Sequence, residues 1–261
     1  MFQDREPSKV IATGAAISLW RLYGLTSPDE LVLEDLALSL GVLVIEAKLD
    51  KADARLLRKG PRGLIRVNRD IPEPGRKRFA IAHELGHWAL HRESQVNACT
   101  DQNMVSMYRA SPAEVEANYF AAELLMPGDL FAPRIRRVRP SFALITSLAN
   151  EFRTSLTAAA VRYAEVSDDY CAVVVSEGGR VRWWRGSERF AEHYWIEPGT
   201  PLGPETIAGS LFAGEAVPRG PEEVEDDAWA DRREGGEPET FLEEAFPLEA
   251  YNQIISLLYL P

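Results

Sequence analysis

Residues 78–93 read RFAIAHELGHWALHRE and hold three of the chain's four histidines, two of them framing a glutamate. His83, Glu84 and His87 spell H-E-x-x-H. On a helix, positions i and i+4 lie on one face, so both imidazoles can reach a single metal ion at about 2.0–2.1 Å. Glu84 need not be a ligand: one residue along, it stands where a carboxylate can take a proton from metal-polarised water and return it to a leaving amine. The competing reading is an apolar helix whose histidines are satisfied at its surface.

A catalytic zinc site usually takes three protein ligands and leaves one position open, so a third ligand decides between these readings. Residues 111–127, SPAEVEANYFAAELLMP, have Ser111 as N-cap, Pro112 in the first turn, Glu114 at the capping-box position and Pro127 as the stop. Glu114 and Asn118 share one face of that helix. Glu114 can therefore bind the metal while Asn118 supports a histidine ring from behind. Glu116 lies roughly 200° around the helix from Glu114 and is kept as the alternative ligand for a helix rotated from this phase. Glu123 reads as a solvated helix residue.

Outward from this pair of helices the patterning predicts an α+β protein. Residues 8–24 and 29–40 have helical spacing, and GVLVIEAKL (41–49) and GLIRVN (63–68) are short β-rich runs separated by the turn-rich LRKGPRG (57–63). Residues 141–165 read as two short helices around Arg153-Thr154-Ser155. After Asp169 come YCAVVVS, the turn EGGR and VRWWRG, a strand-rich beginning whose Trp183 and Trp184 are expected to pack on opposite faces of a sheet, with stacking on a ligand as the alternative. Three regions follow: a mostly helical one with a small sheet over 1–138, a pair of short helices over 139–167, and a strand-rich one over 168–261.

The chain has 261 residues, 46% of them apolar, and a net charge of −11. That charge argues against a generic nucleic-acid binder. It is concentrated between Glu222 and Glu244, where eleven acids face two arginines. This stretch reads as a solvated acidic loop over 220–244 ahead of the apolar AYNQIISLLYL. Cys99 and Cys171 are too few for a disulfide scaffold and read as inert thiols. No apolar run reaches bilayer length and MFQDREPSKV lacks the start of a secretory signal, so a cytoplasmic protein without membrane partners is expected.

RFAIAHELGHWALH followed by EVEANYFAAELLMP resembles the ImmA/IrrE family of bacterial metallopeptidases, whose pattern is R-F-x-x-A-H-E-x-G-H and then E-x-x-A-N-x-F-A-A-x-L-L-M-P. The similarity extends over roughly residues 10–165 and implies a zincin-like metallopeptidase domain over 1–138, a helix-turn-helix-like module over 139–167, and a regulatory or sensor region over 168–261. It implies that His83, His87 and Glu114 hold Zn2+, that Glu84 is the general base, and that the substrate is a helix-turn-helix repressor. Cleaving that repressor would release genes for stress response or mobile-element transfer. Two histidines and a carboxylate also accept Mn2+ or Fe2+. Some family members carry a GAF-like sensor domain where this chain becomes strand-rich, and the resemblance leaves room for one here.

His91 continues the i+4 ladder but sits a further turn along, about 6 Å, which suits a helix-end or supporting role better than ligation. Tyr108, Tyr119 and His91 are candidates for stabilising an oxyanion. GLIRVN is expected as an edge strand on which a substrate pairs by β-addition. Arg76, Lys77 and Arg78 form one basic group, and Arg134, Arg136, Arg137 and Arg139 a denser one. The second group makes direct DNA binding the rival function, with the metal site structural or vestigial. Against it, RTSLTAAAVRYAE offers few side chains able to read base edges.

Overall fold

The computed structural model describes residues 6–91, 96–99, 111–217, 220–233 and 239–261. Its α+β character is as the patterning implied. The chain clusters into two units, one of 1–130 with 149–158, the other of 131–148 with 159–261. The expected helix-turn-helix-like segment is divided between them.

The first unit opens with α1 (Lys9–Leu22), α2 (Leu33–Ser39) and the strands β1 (Val42–Ala47), β2 (Ala54–Lys59) and β3 (Arg62–Asn68). Then come α3 (Pro74–Leu90), β4 (Val96–Cys99) and α4 (Pro112–Leu125). The four strands are ordered β1-β3-β2-β4, with β1 and β3 parallel and the other pairs antiparallel. This corrects the sequence reading twice. The second half of β2, Leu57–Lys59, was expected in the turn-rich LRKGPRG, yet ARLLRK alternates buried Ala54 and Leu56 with more exposed partners, the period of a strand. And β3, the GLIRVN run, is bonded on both sides. Its backbone groups are already spent, so it has no edge to offer a substrate.

Helix α3 packs on β2 and β3 and also against α4, which in turn packs on α1. Both ends of α3 are fixed. At the start, Arg76 Nε lies 2.8 Å from Asp53 Oδ2, and Gly75 is so close to the backbone of Thr154 that no side chain fits there. The Arg153–Ser155 turn that approaches Gly75 is itself tied down: the Arg153 guanidinium donates to the carbonyls of Pro28, Asp29 and Leu31. At the far end, Arg58 on β2 donates to the carbonyl of Trp88 at 2.9 Å and lies over the Trp88 ring at 3.8 Å. A cation at a helix C-terminus is favourable by about 0.3–1 kcal/mol.

Three helices follow, α5 (Gly128–Ile135), α6 (Phe142–Glu151) and α7 (Leu156–Val166). The remainder comprises β5 (Cys171–Glu177), β6 (Arg180–Gly186), α8 (Glu188–His193), β7 (Tyr194–Trp195), α9 (Ile207–Phe212), β8 (Glu222–Glu225), β9 (Asp231–Arg232), β10 (Thr240–Leu248) and β11 (Gln253–Tyr259). Five of these strands form an antiparallel sheet ordered β6-β5-β11-β10-β8. Trp183 and Trp184 are both buried in it. Cys171 at the start of β5 is wholly buried, and burial pushes its thiol up to about 12, in keeping with an inert cysteine.

The acidic stretch is not the solvated loop its composition suggested. β8 turns Val224 inward and leaves Glu222, Glu223 and Glu225 exposed on an edge strand, where charge discourages further pairing. Two of its described acids are interior. Asp226 is paired with Arg232 at 2.8 Å, and Glu243 accepts from the Ile207 and Ala208 amides, the Trp229 indole and the Ser256 hydroxyl. A charge count does not distinguish a carboxylate facing water from one serving as an acceptor for buried donors.

Candidate metal centre

The site is built where α3 crosses α4. Ser111 caps α4 by accepting from the Glu114 amide, and Pro112 occupies the first turn as expected. The side chain of Glu114 lies against the histidines of α3. Between the two histidines sits Gly86, and between Glu114 and Asn118 sits Ala117. A carbon added at Gly86 would stand 3.0 Å from the Ala117 Cα, so two small residues let the backbones meet where polar side chains must converge.

His83 and Glu84 are fully buried, His87 nearly so, and Glu114 is 8% exposed. The His83 and His87 Nε2 atoms are 3.1 Å apart, and Glu114 places one oxygen 3.2 Å from the first and the other 3.3 Å from the second. Ligands held at about 2.0–2.1 Å in a tetrahedron are about 3.3–3.4 Å from one another. The two nitrogens are thus spaced nearly as neighbouring ligands of a tetrahedral shell, with one Glu114 oxygen facing each, and the nitrogen, nitrogen, oxygen composition suits a divalent metal. His83, His87 and Glu114 form the one such donor cluster among the described residues.

Burial works against the Glu114 carboxylate, but hydrogen bonds and charge from both histidines outweigh it and hold its pKa well below the usual range. Burial lowers the His87 pKa, and the neighbouring histidines add to that, which favours the neutral imidazole a metal requires. Behind the ligands, the Nδ1 of His83 is 2.8 Å from the Asn118 Oδ1. The amide oxygen accepts, so His83 carries a proton on Nδ1, the arrangement that lets Nε2 serve a metal when one is bound.

The family model for the IrrE N-terminal-like domain of the M78 peptidases matches residues 37–163. This stretch is similar to an IrrE N-terminal-like domain. The expected likeness to the ImmA/IrrE family is borne out over these residues. No curated protein matches the chain. Among solved structures, one described as a Mycobacterium tuberculosis transcriptional regulator is similar with a TM-score of 0.59 and 17% identity, over 95% of this chain and 75% of that one. At that identity the likeness is one of fold.

Within the IrrE-like domain the remaining residues singled out in the sequence fall as follows. Glu116 is buried but does not join the three candidate ligands; its Oε2 is 2.9 Å from the His91 Nε2, and its Oε1 accepts from the Ser8 amide at 2.9 Å. The His91 Nδ1 is 3.0 Å from the His87 Nδ1. Glu123, expected in solvent, is buried and accepts from the Gly128 amide at 2.9 Å, closing the end of α4. Of the three oxyanion candidates, His91 is engaged with Glu116 and His87, Tyr119 has the Lys9 ammonium over its ring at 5.5 Å, and Tyr108 lies outside the described residues. Sequence reasoning missed the part played by Glu116. The signal was present in the spacing of His87 and His91, which points a second ring at the back of the first.

Proposed function

We propose that the protein is a metal-dependent endopeptidase, acting in the cytoplasm on a helix-turn-helix transcriptional repressor so that stress-response or mobile-element genes are released. One observation supports this above the others. Glu84, fully buried, follows the first ligand in a cluster of only three protein donors among the described residues. A structural zinc site is closed by four protein ligands, whereas three leave a position for water.

When bound, the metal, with zinc the first candidate and Mn2+ or Fe2+ the alternatives, would polarise a water and the scissile carbonyl. Glu84 takes the proton from that water and returns it to the leaving nitrogen. His83, His87 and Glu114 would hold the ion, and Asn118 keeps the His83 ring oriented with its Nε2 toward it. Burial of the whole cluster strengthens the attraction between developing charge and these groups.

The second reading is a DNA- or protein-binding regulator in which the metal site is structural or vestigial. The solved neighbour's description as a transcriptional regulator and the exposed Arg136, Arg137 and Arg139 favour it. Against DNA binding, α7 buries Ala159, Ala160, Arg162, Tyr163 and Ala164, leaving few side chains to enter a groove. The test is incubation with the repressor encoded beside this gene, with and without added zinc, read by intact mass. Two fragments that appear only with metal, and not with Glu84→Gln, support the peptidase. An intact repressor under every metal condition overturns it.

A further inference from the structure

We propose that the face of the four-stranded sheet turned away from α3 is a docking surface for an acidic amphipathic helix of a partner protein. A row of leucines takes the apolar stripe of that helix, and basic side chains on either side of the row meet its carboxylates. The inference is independent of the metal centre and of hydrolysis there.

Successive side chains of a strand point to opposite faces of its sheet. On β1, β2 and β3 one set, Val42, Ala54, Leu56, Ile65 and Val67, is buried. A carbon added at Gly63, the partner of Val42, would stand 3.0 Å from the Trp88 ring, so this is the side that α3 covers. Register assembles the other side. Leu43 pairs with Leu64 and Leu64 with Leu57, which sets three leucines side by side across three strands about 4.8 Å apart. Ile45 continues the patch along β1, the edge strand. Leu43 is 54% exposed, Ile45 39% and Leu57 38%, so no described residue seals the row. A lone exposed leucine asks for no explanation, but a contiguous aliphatic patch on a sheet marks a surface that something covers.

Charge selects the occupant. Arg66 and Arg55, paired across β3 and β2, lie on one side of the leucine row, and Arg62 and Lys59 on the other. Each is two residues from a leucine, about 7 Å along its strand. The outward positions of the three strands hold no acid, since Glu46 belongs to the α3 side, where its Oε1 is 2.8 Å from the Lys77 Nζ. Among the described residues none of the four cations has a carboxylate partner; Arg55 reaches only the Asp50 carbonyl, at 3.5 Å. In a chain of net charge −11, four unneutralised cations bordering one aliphatic patch call for an anionic partner with an apolar side. A helix is about 10–12 Å across with its side chains, so one laid on the leucines brings its flanks over both basic rows. Its apolar residues at i, i+3, i+4 and i+7 supply the matching stripe. A single-stranded nucleic acid would ask for aromatic rings to stack its bases, and a membrane interface for Trp or Tyr, and the outward positions hold neither.

The experiment uses the full-length chain and two fluorescein-labelled synthetic helices of about 18 residues, both with a leucine stripe at helical spacing, one flanked by glutamates and the other by lysines. Fluorescence anisotropy measures binding, and circular dichroism checks the fold of each variant. The acidic peptide is expected to bind saturably with a micromolar dissociation constant, at least tenfold more tightly than its lysine twin, and more weakly as salt shortens the Debye length. Leu43→Ser with Leu57→Ser should weaken that binding at least tenfold. Arg62→Glu with Arg66→Glu should reverse the preference between the two peptides, a result that general loss of structure does not produce. If either double variant fails to fold, Leu43→Ser alone and the native preference still decide. The inference is overturned if the acidic peptide does not bind, if the two peptides bind alike, or if the variants bind as the native chain does. It is also overturned if these substitutions instead abolish binding to phosphatidylserine vesicles, which would assign the face to a membrane, or a concentration-dependent dimer in sedimentation velocity, which would assign it to a second copy. No substrate is cut in these measurements, so failure of the peptidase reading would be seen separately, as an intact repressor.

Discussion

Gly86 and Ala117 meet at the crossing of α3 and α4, where a carbon added to Gly86 would stand 3.0 Å from the Ala117 Cα and 3.2 Å from its carbonyl oxygen. Gly86→Ala gains up to about 1 kcal/mol of helix propensity, but crowding a packed crossing costs typically 1–3 kcal/mol. Crowding is expected to win. Because the contact lies between the two pairs of site residues, the histidines and Glu114 should also be driven apart. The expected outcome is a lower melting temperature and at least tenfold weaker zinc binding with helical content retained. A variant that binds zinc as the native chain does would show that the close approach is not what sets the site.

Glu84→Gln is expected to abolish cleavage of the repressor while metal binding survives. The amide cannot shuttle a proton, yet it leaves both imidazoles and Glu114 in place. The measurement pairs metal content with intact-mass analysis of the substrate. Full cleavage by a metal-loaded Glu84→Gln protein would defeat the mechanism.

The metal-facing half of the site was legible in the sequence because it depends on one helix at a time. H-E-x-x-H needs only the period of α3, and choosing Glu114 with Asn118 over Glu116 needs only the period of α4. What was not legible depends on two elements at once. The contact of Glu116 with His91 requires the crossing angle of α3 and α4, and its bond to Ser8 requires α1 beside α4. β2 was hidden because four of its six residues are Arg, Lys or a half-exposed Leu, and its inward residues are only Ala54 and Leu56. The acidic stretch was misread because Glu243 looks in a composition count like any other acid. Its burial follows from strand pairing with β11 and from the donors of Ile207, Ala208, Trp229 and Ser256.

Ligand loss should rank. Glu114→Ala removes a donor atom and is expected to weaken zinc binding far more than Glu116→Ala, which removes only a partner of His91. Chelator titration of the two variants in parallel measures the difference. Equal losses would mean that Glu116, not Glu114 alone, completes the metal shell.

Glu243→Gln is expected to destabilise the strand-rich unit by about 1–3 kcal/mol, the cost of leaving buried donors without an acceptor. In the native chain Oε2 receives the Ile207 amide and the Trp229 indole, while Oε1 receives the Ala208 amide and the Ser256 hydroxyl. An amide nitrogen at either position points hydrogens at a donor. The Ser256 hydroxyl can turn to accept, but the backbone amides and the indole cannot. A urea titration followed by tryptophan fluorescence checks it, since Trp229 lies in the network. An unchanged midpoint would mean that the donors find other acceptors.

Cutting the chain after Val166, where the helical region gives way to strands, is expected to damage the part that remains rather than release it. The Phe142 amide donates to Glu244 Oε2 at 2.9 Å, its ring lies 6.1 Å from that of Phe246, and the Tyr163 hydroxyl donates to Asp169. All of these partners beyond residue 166 would be lost. A cut before Phe131 is no cleaner, because residues 149–158 belong to the first unit, where Thr154 abuts Gly75 and Arg153 satisfies three carbonyls. Residues 1–166 should therefore melt at a lower temperature than the full chain and bind zinc less tightly, because the turn that packs on the start of α3 sits between helices deprived of their partners. Thermal melts with and without zinc measure both effects. A 1–166 fragment that matched the full chain in melting temperature and zinc affinity would show that the helical region is self-sufficient, and would make the strand-rich part removable for tests of regulation.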